Sequence, residues 1–270
     1  MSAQSCSDPD GGRQLFQVIK KVLTSLRQLQ HSPNRLVGLL VGSDVVNFKY
    51  HWKEVLGSFS DLDYIDRAKS LTDEIDSLSF GYSVGWADGN MKRWLNTIEE
   101  SGLAGDAEIL EIGSYEGRST NFWLRALPLS KVVCVDTWEG EYKDLNSGVH
   151  AQMDTVFARF TENTKWAQHR ITMHRTMSGD YFAQNQVGHQ FDLVYIDGSH
   201  HGADVIQDAI NGFKALKPGG VMMFDDFLWK YYSNKNTNPW AAINFFLRLF
   251  NDELLVIRYG EQVHIQKNCD

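Results

Sequence analysis

Cysteine is scarce, three in 270 residues. Cys6, Cys134 and Cys269 are scattered, and no two stand in C-x-x-C spacing. That excludes a disulfide framework and a cysteine zinc site, and it fits a reducing compartment. Long hydrophobic runs are missing as well. No apolar stretch approaches the ~18 residues that a membrane-spanning helix needs. The first twelve residues, MSAQSCSDPDGG, are polar and lack the apolar core of a secretory signal. An excess of basic charge is also absent, the formal net charge being −8. Phosphate backbones call for a basic face, so a nucleic-acid partner is not expected. Together these absences predict a cytoplasmic protein, with neither membrane nor nucleic acid among its partners. What the chain does have is 43% hydrophobic residues, enough for a substantial core.

Two regions differ in pattern. Residues 1–12 read as disordered. From Arg13 to Gln30, apolar residues recur at Leu15, Val18, Ile19, Val22, Leu23 and Leu26, the stripe of an amphipathic helix that packs on the main domain or on a second copy of the chain. Residues 33–80 hold short elements without a clear period. "FGYSVGWADGN", 80–90, reads as a structured loop before a helix over Met91–Gly102. Residues 1–104 therefore read as a mainly helical extension, and 105–270 as the main domain. In the latter, apolar runs alternate with helical patterns: 107–112, 131–136, 170–175, 191–197 and 220–226. This predicts an α/β fold, a doubly wound and mostly parallel sheet. The runs at 253–260 and 261–267 are almost contiguous, so they form an antiparallel hairpin and bring the count to seven strands.

The first run continues into "ILEIGSYEGRST", 109–120. In doubly wound sheets ligands bind beyond the carboxyl ends of the strands, and Gly113 and Gly117 allow a tight strand-to-helix turn there. The dinucleotide fingerprint G-x-G-x-x-G is absent, which argues against a pyrophosphate cradle and against nicotinamide chemistry. Asp136 ends the second strand, where an acidic residue can accept both ribose hydroxyls of a nucleoside. Glu111, one pleat before the turn, can orient that turn or the ammonium end of a ligand. A nucleoside carrying a cationic amino-acid tail and no phosphate satisfies all three features, and S-adenosylmethionine is such a ligand.

The fourth strand ends "YIDGSHH", 195–201, and the fifth "MMFDDF", 222–227. Neighbouring parallel strands would bring Asp197, Asp225 and Asp226 to one mouth of the sheet. Clustered carboxylates repel, so they either cap the following helices or share a cation, for which hard oxygen donors favour Mg²⁺, Mn²⁺ or Ca²⁺ over zinc, with Mg²⁺ the expected ion in cells. Beyond them, "FLWKYYSNKNTNPW", 227–240, is an aromatic loop suited to walling an acceptor site.

These motifs resemble class I S-adenosylmethionine-dependent methyltransferases, and most nearly the macrocin-type sugar O-methyltransferases and the catechol-type O-methyltransferases. The resemblance runs over about 105–268. It implies that Glu111, Gly113, Tyr115 and Ser119 line the methionine portion, that Asp136 holds the ribose, and that Thr137, Trp138 and Ser178 border the adenine. Asp197 is shared between cofactor and metal, Asp225 and Asp226 complete the metal site, and His200 is the catalytic base. The implied activity is metal-dependent O-methylation of a sugar or glycosylated natural product. A catechol-like aryl acceptor and a metal-independent N-methyltransferase are the alternatives. His201 is expected to enter the next helix and point away.

Overall fold

The computed structural model describes residues 65–78, 81–140, 155–185 and 187–269. The expected disorder over 1–12, the Arg13–Gln30 helix with its proposed role in self-association, and any elements within 33–64 lie outside these residues. Two helices come first, α1 (Ile65–Ser77) and α2 (Met91–Ser101). Then follow β1 (Glu108–Ile112), α3 (Arg118–Ala126), β2 (Lys131–Asp136), α4 (Val156–Thr164), β3 (Ile171–Arg175), α5 (Ser178–Gln184) and β4 (Phe191–Ile196). The chain closes with α6 (Gly202–Ala215), β5 (Leu216–Phe224), α7 (Pro239–Leu249), β6 (Leu254–Tyr259) and β7 (Val263–Lys267).

The seven strands form one sheet in the order β3-β2-β1-β4-β5-β7-β6, and β1 to β5 are mutually parallel. The last two strands form the expected antiparallel pair, with β7 inserted between β5 and β6 and antiparallel to both. Register explains where the site falls. Ile112 pairs with Val135 and with Ile196, and Ile196 pairs with Phe224. The next residue of each strand therefore arrives at one rim: Gly113, Asp136, Asp197 and Asp225.

Strand alternation divides the core. Ile109, Leu193, Tyr195, Val221 and Met223 face α1, α2 and α3, where Trp94, Phe122 and Trp123 are fully buried. On the other face Gly212 of α6 sits 3.0 Å, measured from an added Cβ, from Val194 and close to Met222. α2 buries Met91, Trp94, Leu95 and Ile98, positions i, i+3, i+4 and i+7, and stops at Gly102 in the left-handed region (φ 68°). Although α1 and α2 precede residue 105, their apolar faces belong to the same core as the sheet. Lys217–Gly220 end α6 as expected, but they form the irregular start of β5, where the register against β4 shifts. Among the described residues no helix is long and apolar enough to cross a membrane.

Candidate active site

The turn after β1 is shaped by its neighbours before any ligand arrives. A Cβ on Gly113 (φ 87°) would stand 2.0 Å from the Asp197 carbonyl oxygen, so the ends of β1 and β4 touch backbone to backbone. Gly117 (φ 80°) opens α3, and a Cβ there would strike Thr164 at 2.8 Å. Glu111 is 0% exposed. Its carboxylate accepts from Ser114 Oγ (2.7 Å), Trp123 Nε1 (3.0 Å) and the Thr120 hydroxyl, with Ser119 also bonded to it. Burial pushes its pKa up, and these donors oppose that rise. Glu111 is thus a buried anchor that ties the turn to α3, and it is not a wall of the cleft.

Asp136 completes the turn. Its Oδ2 accepts the backbone N–H of Ser114 (2.8 Å) and Tyr115 (2.9 Å), and its Oδ1 that of Trp138 (2.7 Å). Tyr115 and Trp138 both hold positive φ, 46° and 54°, a cost that a surrounding hydrogen-bond network must offset. The Trp138 indole is buried on Phe157 and Phe160, and its Nε1 donates to the Tyr115 carbonyl (2.8 Å). Thr137 stays partly exposed beside it. Ser178 starts α5 and bonds Asp208 of α6. The two N–H groups of the turn, the donors a phosphate cradle needs, are taken up by a carboxylate. The turn therefore suits hydroxyls or positive charge and disfavours a pyrophosphate.

One pocket at the rim is lined by Asp197, Ser199, His200, Asp225 and Asp226. Within it the acidic residues do not converge as three equal ligands. The Tyr195 hydroxyl stands between two of them, donating to Asp225 Oδ2 at 2.5 Å and lying 3.1 Å from Asp197 Oδ2. Burial, then mutual repulsion, pushes Asp197 well above the ordinary carboxylate range and raises Asp225 too. Asp226, at φ 53°, turns away and places Oδ2 2.6 Å from His200 Nε2. Among the described residues, no group of three or more His, Cys, Asp or Glu side chains is spaced to hold a metal ion. The Asp226 carboxylate is instead committed to the imidazole. Two donors remain, and magnesium commonly takes one or two carboxylates and completes its shell with water. Asp197 and Asp225 fit that chemistry. His200 is stacked on Trp229 (centroids 4.7 Å apart, 23°), so its ring is held on two sides. His201 caps α6, with Nδ1 accepting from Ala203 N.

Comparison with known proteins accords with this geometry. Residues 110–227, rather less than half of the chain, match a family profile described as a methyltransferase domain. Over that segment the chain is similar to a methyltransferase domain. A structure described as a putative O-methyltransferase from Klebsiella pneumoniae superposes with a TM-score of 0.50 at 15% identity, covering 75% of this chain and 90% of that one. A protein from Corynebacterium glutamicum gives the same four values. MycE, a methyltransferase of mycinamycin biosynthesis solved with Mg and SAH, gives 0.49 at 16% identity and covers 75% of this chain and 55% of that one. Identities this low establish the fold alone. A search of curated protein sequences found no significant match.

Several residues around the site were not singled out from the sequence. Tyr195, inside β4, joins Asp197 and Asp225 through its hydroxyl. Glu116, 1% exposed, accepts from Ser83 N (2.6 Å), Ser83 Oγ (2.8 Å) and Arg159 Nη1 (2.6 Å), fastening the 81–90 loop to the glycine turn. Trp86 of that loop is 64% exposed and packs on Tyr115, centroids 5.4 Å apart. The glycine and aromatic content of 80–90 marked the loop as structured, but nothing in it named these partners.

Proposed function

We propose that the chain moves the methyl group of S-adenosylmethionine onto a hydroxyl oxygen of a small molecule, with His200 as the base. The observation that carries this reading is the 2.6 Å contact between His200 Nε2 and Asp226 Oδ2 at the rim of the sheet, on the loop that follows the strand end touching Gly113. S-adenosylmethionine supplies an electrophilic methyl carbon on a sulfonium. The acceptor oxygen forms a bond to that carbon as the carbon–sulfur bond breaks, and the hydroxyl proton leaves to the imidazole. Asp226 orients His200 and stabilises the imidazolium that results, and Trp229 fixes the ring plane. Asp136 and Glu111 hold the turn in the shape that faces the cofactor. A divalent cation at Asp197 and Asp225 would supply positive charge that lowers the pKa of the acceptor hydroxyl.

The acceptor we favour is a sugar or glycosylated natural product. Partly exposed Trp229 stacks on His200, exposed Tyr231 and partly exposed Tyr232 pack on Trp229, and aromatic faces near carboxylates suit a polyhydroxylated ring. A catechol-like aryl acceptor would use the same surfaces. The scattered cysteines fit a reaction in a reducing compartment. The test is incubation with methyl-labelled S-adenosylmethionine and a panel of glycosides and catechols, with and without chelator. One methyl mass on an acceptor oxygen is expected. No product with any acceptor, together with no cofactor binding, would defeat the reading.

A further inference from the structure

Asn90 occupies the N-cap of α2, where an asparagine ordinarily bonds the free N–H groups of the first helical turn. Its side chain makes no such bond. Instead Nδ2 donates to Asp225 Oδ2 (3.3 Å), and Oδ1 accepts from Arg93 Nη1 (3.0 Å). Arg93 is held in turn by Glu261 Oε2 (2.6 Å), on the turn between β6 and β7. A flipped amide would set oxygen against carboxylate and NH₂ against guanidinium, so the two partners allow one orientation only. From Asp225 the linkage continues. Its Oδ1 accepts the backbone N–H of Asp226 (2.8 Å), the residue whose positive φ aims its carboxylate at His200.

We infer that Asn90 is a positioning residue for the His200–Asp226 pair, acting through Asp225. Resting on the methyl-transfer reading above, it extends the working site beyond the matched segment 110–227, to a helix cap that forgoes capping. Arg93 and Glu261 set the amide, the amide and Tyr195 set Asp225, and Asp225 sets the backbone that presents Asp226. A purely structural Asn90 would behave differently on substitution, because serine caps a helix as well as asparagine does yet cannot span to Asp225.

The experiment measures kcat, KM for cofactor and acceptor, and melting temperature for wild type, Asn90→Ser and Asn90→Asp. Asn90→Ser should lower kcat about 10-fold or more, leave both KM values within about twofold, and keep or raise the melting temperature. Asn90→Asp, an equally good cap, sets a like charge against Asp225 and should lose more. Adding Arg93→Met to Asn90→Ser should cost little further, since Arg93 acts through the amide. Wild-type kcat in both Asn90 variants, or a kcat loss matched by a fall in melting temperature, would overturn the inference while leaving the methyl-transfer reading intact. Absence of methyl transfer by the wild-type chain would overturn both, and that arm is read first.

Discussion

A Cβ placed on Gly113 would lie 2.0 Å from the carbonyl oxygen of Asp197. The glycine turn and the strand end leading to His200 are therefore in backbone contact, with no side chain between them. Gly113→Ala meets fixed backbone at a φ of 87°, and no rotamer relieves it. We expect a loss of roughly 3 kcal/mol or more in unfolding free energy. Chemical denaturation checks this, and near-wild-type stability would show that β1 and β4 can part without cost.

Asp136 accepts three backbone N–H groups, two of them from the turn itself. Asp136→Ala leaves buried donors unsatisfied, at about 1–3 kcal/mol each. We expect S-adenosylmethionine affinity to fall at least about 10-fold, since the turn loses its template before contact with ligand is counted. Isothermal calorimetry measures it, and unchanged affinity would remove Asp136 from both roles.

Asp208, buried in α6, has its pKa raised to about 7 by burial, with its bond to Ser178 opposing. An acid with a raised folded pKa holds a proton in the native state that the unfolded chain releases above about pH 4. Stability from this group is full at low pH, declines as pH rises through about 7, and is then constant. Asp208→Asn removes the dependence, so the variant should gain roughly a few kcal/mol over wild type at pH 8 and much less at pH 5. Denaturant titrations of both proteins at the two pH values give the comparison. An equal difference at both would mean that Asp208 does not titrate in this range.

The strands were legible because parallel strands buried on both faces are nearly continuous apolar runs, and each of the seven lies within a residue or two of its expected place, β5 excepted at its amino end. Placement of β7 between β5 and β6 was not legible, since a two-strand hairpin can join a sheet by either edge. Register brought Asp136, Asp197 and Asp225 to the rim as their positions implied. The direction in which a carboxylate turns was beyond reach. Asp226 reads as a third ligand until its positive φ shows it facing His200. Glu111 reads equally as a ligand contact or a loop anchor, and complete burial favours the anchor. Asn90 ends a loop read only as structured, and nothing in the sequence pairs it with Asp225, 135 residues away.

The most direct test of the account is transfer of a labelled methyl group from S-adenosylmethionine to a hydroxylated acceptor by wild type, His200→Ala and Asp226→Asn, followed by mass spectrometry. The account predicts an O-methylated product from wild type, turnover reduced about 10²-fold or more in His200→Ala, a smaller loss in Asp226→Asn, and cofactor affinity little changed in either. Wild-type turnover in His200→Ala would contradict it.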